Sequence, residues 1–267
     1  MLSADRLSIN TFDKTALQRA RQLGLGLEVE EYLWMYTEEE VAYRRKNVTE
    51  MMSGFSRSSF HGTAVSRDVV GINNLSDDRL LSIYNESYQN ARFHGIDKIV
   101  YHSNYLTAMQ TPDVWVSRRA AFWKEFLRDK PASLHVYIEN FIDDTPDLLS
   151  QLCDLTDDPR LRICLDVGHA SANSSIDLNE WIDQLSKRIG HVHLHNNDGL
   201  EDKHWPLERG VLNIAGILEA LLDKADAPTF VLECSLEESL RWLCQNKFLV
   251  STGALDSLPV YQSKTIR

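Results

Sequence analysis

Residues 191–196 read His-Val-His-Leu-His-Asn, a short run in which three imidazoles alternate with two apolar side chains. Successive side chains of a β-strand point to opposite faces, so the three histidines share one face while the valine and the leucine share the other. The apolar face suits contact with a layer of helices, and the histidines then face a polar centre. This pattern predicts a strand of a closed βα barrel, whose inward side chains surround the barrel axis.

Seven other apolar or β-branched runs lie along the chain, and segments of helical periodicity separate them. Such alternation indicates βαβ units with parallel strands. The 267 residues match the size of one such barrel, about 250 residues, so we predict a single α/β domain, a (βα)8 TIM barrel. It covers residues 1–267, with residues 246–267 as a C-terminal tail. The predicted strands span about residues 6–10, 25–31, 58–63, 97–103, 134–140, 161–167, 189–196 and 229–234.

An open doubly wound sheet is the alternative fold. The first predicted strand is not followed by a Gly-rich phosphate loop, which disfavours the nucleotide-binding form of that sheet.

Helix boundaries also leave signals in the sequence. Thr37 begins a capping box, which predicts a helix to about Met52. Gly95 is expected to end the next long helix, and Pro146 to occupy the first position of a later one. Gly190 is expected to end a helix just before the seventh strand.

The charge balance constrains the partners of the protein. Lys and Arg total 28 and Asp and Glu total 39, which gives a formal net charge of −11. An acidic surface disfavours nucleic acid and anionic membranes. The start of the chain lacks the apolar core of a signal peptide, and no apolar run approaches the roughly 20 residues of a membrane span. The four cysteines lack C-x-x-C spacing, which fits reduced thiols. These features predict a cytoplasmic protein that acts on a small molecule.

His, Asp or Glu residues stand at the ends of six predicted strands. A single inward histidine or strand-end glutamate is usually structural, but several carboxylates at one barrel mouth would repel one another. A divalent cation among them removes this conflict. Mixed imidazole and carboxylate ligands suit Zn, Mn, Fe or Co. The residues in this pattern are His61, His102, Glu139, Asp166 with His169 just beyond it, His193 and Glu233.

Five blocks of the sequence resemble, in order and spacing, those of the xylose isomerase-like barrel superfamily. That superfamily includes sugar phosphate isomerases and epimerases as well as endonuclease IV. The resemblance spans about residues 6–245 and is more specific for the superfamily than for a reaction. The blocks are FHGTA (60–64), VYHSNY (100–105), VYIENF (136–141), CLDVGHA (164–170) and HVHLHNNDGLEDKHWPLERG (191–210).

The resemblance implies a site with one to three divalent ions. In isomerases and epimerases of the superfamily four residues hold one ion, and here the matching positions are Glu139, Asp166, His193 and Glu233. In the endonuclease IV branch further ligands build a three-metal cluster. The positions that match those further ligands are His61, His102, His169, Asp202 and His204.

The sequence also departs from the family pattern. Asn196 stands where the family usually has Asp, and residues 207–210 replace a Gly-rich turn. The loop after the first strand lacks the DNA-contacting insertion of endonuclease IV. Together with the acidic charge, these departures make a role in DNA repair a poor fit.

The resemblance leaves three functions open. The first is a metal-dependent isomerase or epimerase of a small sugar or sugar phosphate. Glu139 and Glu233 would exchange a proton with a metal-chelated enediolate, and His169 would hold a substrate hydroxyl. The alternative is an endonuclease IV-like phosphoester hydrolase that acts on a small substrate with two or three ions. The third, from another class, is a non-catalytic metal- or ligand-binding barrel with closed coordination.

Residues around the predicted site are candidates for substrate contact. Glu28 and Glu30 alternate inward on the second predicted strand, and we expect one of them to touch substrate. His191 is expected to support the ligands. The resemblance also implies pairing of subunits through mouth loops, and thus a homo-oligomer. The other substrate-binding candidates are Asn140, Tyr105, Lys203, Trp205 and Arg209.

Overall fold

Eight parallel strands pair in chain order in the computed structural model, and the last pairs with the first, so the sheet closes into a barrel. The structure describes residues 1–65, 76–105 and 111–249. The prediction of a (βα)8 TIM barrel is confirmed, and the open-sheet alternative is wrong. The strands are β1 (Leu7–Asn10), β2 (Gly26–Val29), β3 (Ser58–His61), β4 (Lys98–His102), β5 (His135–Glu139), β6 (Leu161–Asp166), β7 (Ile189–Leu194) and β8 (Thr229–Leu232).

Helices surround the barrel and connect its strands. None of the helices in the described ranges is long and apolar enough to cross a bilayer. Short 3-10 turns cover Ala4–Arg6 and Ser186–Arg188. The α-helices of the described residues are α1 (Leu17–Gln22), α2 (Glu38–Met52), α3 (Asp77–Phe93), α4 (Pro112–Leu127), α5 (Asp147–Thr156), α6 (Val167–Asn173), α7 (Leu178–Leu185), α8 (Ile214–Lys224) and α9 (Leu236–Gln245).

The two faces of each strand enter different environments. Val192 and Leu194 of β7 are fully buried in the large core between the strands and the helices. A separate small cluster comprises Val100, Tyr137 and Cys164, which come from β4, β5 and β6. Each fully buried aliphatic side chain contributes roughly 1.5–3 kcal/mol, so a register slip by one residue would expose a strand's whole apolar set. This penalty fixes which side chains reach the barrel axis.

Two of the predicted helix ends are confirmed. Thr37 donates its backbone N–H to Glu40 Oε2 at 2.8 Å, and its hydroxyl accepts from the Glu40 N–H at 3.4 Å, which completes the capping box of α2. After α3, Gly95 has a φ of +70°, the left-handed conformation that ends helices and favours glycine.

Two other helix predictions are wrong. Helix α5 begins at Asp147, so Pro146 is the residue before its first turn. Helix α7 ends at Leu185, and Gly190 lies inside β7 rather than at a helix end. A Cβ on Gly190 would lie 2.7 Å from the Tyr137 ring and 2.9 Å from Arg162 Nε, so close packing in the barrel requires this glycine.

Several predicted strands extend one or two residues past the hydrogen-bonded ladder at the mouth. Strands β2, β7 and β8 end at Val29, Leu194 and Leu232. The chain continues toward the loops there, while its side chains keep alternating. Glu233, just past β8, still donates its backbone N–H to the Leu194 carbonyl at 3.1 Å. Residues just beyond the ladder therefore remain part of the barrel mouth.

The beginning of the chain pairs with the segment after α9. Leu2 donates its N–H to the Phe248 carbonyl at 2.7 Å and forms an isolated parallel bridge with Leu249. All three side chains are buried. Of the predicted tail, residues 250–267 lie outside the described residues.

Candidate metal centre

Four of the predicted ligands meet at the carboxyl ends of β5 to β8. Glu139 and Asp166 end β5 and β6, His193 lies near the end of β7, and Glu233 follows β8. The Nδ1 atom of His193 lies 3.1 Å from Glu139 Oε1, 3.4 Å from Glu233 Oε1 and 3.6 Å from Asp166 Oδ2. One imidazole nitrogen thus faces three carboxylates from three other strands, and we call these four residues the central group.

Two histidines from β3 and β4 approach the other oxygen of Glu139. His61 Nε2 lies 3.0 Å and His102 Nε2 lies 3.4 Å from Glu139 Oε2. The His102 ring stacks in parallel on Phe141 at 4.5 Å, which holds its plane. Glu139 therefore divides its oxygens between the central group and the first group, composed of His61, His102 and Glu139 itself.

The third group consists of His169, Asp202 and His204 and lies on the other side of Asp166. Its last two members come from the loop after β7. His169 Nε2 is 3.3 Å and His204 Nε2 is 3.0 Å from Asp202 Oδ2. Residue 204 has a φ of +47°, a left-handed backbone that is uncommon outside glycine. The structure thus brings all nine predicted ligands into three adjoining groups at one mouth.

Hydrogen bonds fix the orientation of three of the rings. His61, His169 and His204 each place Nδ1 within 2.9–3.0 Å of a backbone carbonyl oxygen. A carbonyl only accepts, so Nδ1–H donates, and Nε2 is the ring atom left to face the carboxylates. Each Nε2 faces a carboxylate oxygen at 3.0–3.3 Å. Without an ion, a proton on Nε2 satisfies each contact, and a divalent ion would replace that proton because metals bind the neutral imidazole.

The buried charges of the site shift the pKa values of its carboxylates and histidines. Burial raises the pKa of Glu139, but His193 and His102 outweigh it and hold that pKa well below its usual value. Burial lowers the pKa of His169, whereas Asp166 and other carboxylates raise it well above its usual value. Burial lowers the pKa of His102 to about 3. Among the described residues no Lys or Arg pairs with these carboxylates, so the donor set fits Zn-like divalent ions.

Glu28 supports the central group from inside the barrel. Its carboxylate is fully buried and lies 2.9 Å from His193 Nε2 through Oε1 and 2.9 Å from His191 Nε2 through Oε2. Ser59 donates its hydroxyl to the same carboxylate at 2.7 Å. A carboxylate on the far nitrogen of a ligand histidine fixes the tautomer and the ring plane. Glu28 therefore orients His193 so that Nδ1 faces the central group.

The backbone and side chain of Asp166 are also held. The Asn140 amide donates to the Asp166 carbonyl and accepts from the Asp166 N–H, both at 2.9 Å. Asp166 Oδ1 accepts from the His169 N–H at 2.7 Å, which caps α6. These bonds commit both ends of the Asn140 amide, a residue predicted to contact substrate, to the backbone of a ligand.

His195 belongs to the site, although the only signal for it in the sequence is its alternation with His193. Its Nε2 lies 3.1 Å from Asp166 Oδ1, and its ring stacks on His204 at 4.0 Å. A Cβ on Gly168 would lie 1.9 Å from the His195 ring, so only glycine fits there. His195 thus links the central group to the third group.

The remaining predicted substrate contacts lie in two places. Tyr105 is buried and packs edge-on against Trp115 at 5.2 Å. Trp205 lies on the loop after β7, with Arg209 4.1 Å and Lys203 5.7 Å from its ring centroid. These three loop residues form a cation–π group beside the metal centre, whereas Tyr105 packs as an apolar residue.

Asn196, where the family pattern usually has Asp, orders this loop. Its Oδ1 accepts the N–H groups of Asn197 at 2.9 Å and Leu212 at 3.1 Å, and its Nδ2 donates to the Leu207 carbonyl at 3.1 Å. A Cβ on Gly210 would lie 2.1 Å from the same Oδ1. These hydrogen bonds need a side chain that both donates and accepts, as an amide does. An ionised carboxylate only accepts and could not replace it.

Comparison with known proteins agrees with this geometry. The chain matches a family model described as the xylose isomerase-like TIM barrel over residues 17–246. The uncharacterized protein MJ1311 of Methanocaldococcus jannaschii is 33% identical over 78 residues, which cover 29% of this chain and 27% of that protein. This match spans only about a quarter of the length of that relative.

Solved structures share the fold over most of this chain. The TTHB071 protein from Thermus thermophilus, soaked with ZnCl2, is 27% identical with a TM-score of 0.63 and covers 91% of this chain and 97% of its own. A D-tagatose 3-epimerase-like protein is 15% identical with a TM-score of 0.68 and covers 91% and 97%. Endonuclease IV from Thermus thermophilus is 18% identical with a TM-score of 0.56 and covers 91% and 98%. At such identities the last two likenesses show the fold alone. With the family match over most of its length, the chain belongs to the xylose isomerase-like TIM barrel family.

Proposed function

We propose that this chain is a phosphoester hydrolase that uses a cluster of divalent ions to cleave a small organic phosphate. The observation that carries this proposal is the division of nine ligand-type side chains into three adjoining groups. Isomerase chemistry needs only the central group, which leaves five ligand-type side chains without a task, three of them buried or partly buried and two exposed. Those five are His61, His102, His169, Asp202 and His204.

The residues of the chain hold the ligands in place before substrate arrives. Glu139 joins the first and central groups through its two oxygens, so it would bridge two ions. Glu28 orients His193, and Asn140 fixes the backbone of Asp166. Bound divalent ions would neutralise phosphoryl oxygens and lower the pKa of a water molecule. A rigid supporting shell of this kind keeps such ligands close to their working geometry.

The organic part of the substrate is small in this proposal. The formal charge of −11 repels a polyphosphate backbone. Arg209, which flanks Trp205, offers a cation to a phosphate ester, and Lys203 would do the same by leaving its ion pairs with Asp198 at 3.2 Å and Glu201 at 3.0 Å. We propose that they contact the substrate, and that His169 and Glu233 act as metal ligands.

Two measurements on purified protein test the proposal. After loading with Zn, Mn, Fe or Co, elemental analysis should find two or three ions per chain. A panel of phosphate esters should release inorganic phosphate or an alcohol. Asp202→Asn should lose one ion and about tenfold to a hundredfold in turnover, as removal of a ligand or its support does. Glu219→Gln, an exposed acid on α8, is the matched control and should change neither. A single bound ion with no ester cleavage would contradict the proposal.

A metal-dependent isomerase or epimerase of a small sugar is the second candidate. Glu139 and Glu233 approach His193 Nδ1 from different strands, at 3.1 and 3.4 Å, which suits a pair of proton-transferring carboxylates. A D-tagatose 3-epimerase-like protein has the same fold. This function would give one ion per chain and exchange of a substrate C–H with solvent deuterium, without phosphate release.

A further inference from the structure

A cavity of 490 Å³ adjoins the metal centre between the loops that follow β1 and β8. Glu233 and His204 form the wall that it shares with the metal centre. Small-molecule sites have volumes of about 300–1,000 Å³, so this space admits a ring system next to a phosphate. We call it the ring pocket, and its lining residues are Asn10, Phe12, Asp13, His204, Glu233, Cys234 and Ser235.

Phe12 offers the ring pocket an aromatic surface. It lies just after β1, and 68% of the residue is exposed to solvent. An aromatic ring exposed to water does not contribute the stabilisation that burial gives. A flat ligand that covers the ring buries it and so gains that stabilisation for the complex. The exposure and position of Phe12 therefore suit stacking against a planar group.

Asn10 adds a polar contact at the bottom of the same cavity. It ends β1, where Leu7 and Ile9 join the outer core, so Asn10 points to the barrel interior. Only 7% of Asn10 is exposed, and the residue lines the ring pocket. Its amide offers a donor and an acceptor to a polar group on the ring of a ligand.

The charges around the ring pocket select against an anion. Asp13 and Glu233 line the pocket, and no Lys or Arg is among its lining residues. Glu237 and Glu238 lie in the first turn of α9, next to Ser235 of the lining, and they weaken any attraction of that helix end for an anion. A second phosphate or a carboxylate is therefore a poor occupant.

We propose that the ring pocket binds the organic part of the phosphate ester. This part is an uncharged planar ring with a polar substituent that forms a hydrogen bond with Asn10. This proposal rests on the proposed function, because the phosphate of the same molecule would occupy the metal centre. It names the substrate class as phosphate esters of planar rings, in contrast to phosphates of open-chain polyols.

Two phosphonates, which contain no ester bond to hydrolyse, distinguish the contribution of the ring to binding from that of the phosphate. Calorimetric titration of the zinc-loaded protein should show that phenylphosphonate binds about ten times more tightly than methylphosphonate, the usual scale of stacking on an aromatic side chain. Phe12→Ala should remove this preference. Tyr43→Ala is the matched control, because Tyr43 is 69% exposed on α2 outside the pocket, and it should keep the preference.

A second pair of probes tests charge and polarity. 4-Carboxyphenylphosphonate should bind more weakly than phenylphosphonate because it brings an anion to Asp13 and Glu233. 4-Hydroxyphenylphosphonate should bind more tightly than phenylphosphonate, and Asn10→Leu should abolish that gain while the phenyl preference persists.

The outcomes distinguish this proposal from the function on which it rests. Equal binding of the phenyl and methyl compounds, or a preference that survives Phe12→Ala, overturns the ring pocket and leaves the hydrolase proposal intact. If neither phosphonate binds the zinc-loaded protein, the phosphate site itself is refuted and both proposals fall.

Discussion

Replacement of Glu28 by Gln should weaken binding of the central ion while the protein still folds. Glu28 joins His193 and His191 at 2.9 Å each and receives the Ser59 hydroxyl at 2.7 Å. Gln keeps the shape and one acceptor, but the 2.9 Å contact with His193 Nε2 loses the charge of the carboxylate. Hydrogen bonds to a charged group contribute about 1.5–3 kcal/mol and neutral ones about 0.5–1.5 kcal/mol. The difference of about 1–1.5 kcal/mol corresponds to roughly fivefold to tenfold in affinity.

The assay is competition for zinc between the protein and a chromogenic chelator, read for the tightest-bound ion. Asp143→Asn is the matched control, because Asp143 is also a buried carboxylate but is bonded to Ser103 and to the Phe141 N–H, not to a ligand histidine. The affinity of the Asp143→Asn variant for zinc should equal that of the parent protein. If Glu28→Gln binds zinc as tightly as the parent, Glu28 does not orient His193 and our account of the supporting shell is wrong.

Three further predictions concern stability. Removal of metal with a chelator should lower the midpoint of thermal unfolding, since an ion at about a thousand times its Kd stabilises the folded state by about 4 kcal/mol; an unchanged midpoint would count against a bound ion. Gly168→Ala should destabilise the protein by roughly 1–3 kcal/mol in urea unfolding, because the added methyl meets the His195 ring at 1.9 Å; a neutral result would mean that this ring moves freely. Burial, together with Arg45, lowers the pKa of His94 from 6.5 to about 4. The unfolded chain therefore takes up this proton first, so stability should fall as pH drops from 6.5 towards 4. In metal-free protein, His94→Gln should reduce that loss, and identical pH profiles of the two proteins would refute the assignment.

The alternation of β7 made the barrel predictable because its two faces meet different surroundings. Val192 and Leu194 enter the outer core, whereas the histidines between them face carboxylates. Strand ends were less predictable, because side chains keep alternating after the ladder of hydrogen bonds stops at Leu194 and Leu232. The misplaced helix end at Gly190 has a similar cause, since close packing inside a strand leaves the same sequence signal as a helix stop.

Ligand-type residues at strand ends could be found from the sequence because few other features collect carboxylates and imidazoles there. Contacts that depend on the three-dimensional register of the strands could not be found from the sequence. Glu28 meets His191 across 163 positions of chain, and nothing local to either residue indicates the pair. Asn10 and Phe12 are ordinary residue types whose significance depends on a cavity that forms only when the loops after β1 and β8 come together.

If ions bind as we propose, the divided carboxylate of Glu139 has a consequence for the order in which they bind. An ion against one oxygen would immobilise the whole side chain and prepare the other oxygen for a second ion, yet it would also consume negative charge that the second ion would use. The two occupancies would therefore be coupled, with a sign set by whichever effect is larger. At scarce metal, a population of molecules would divide into differently loaded species, and its average turnover would describe none of them.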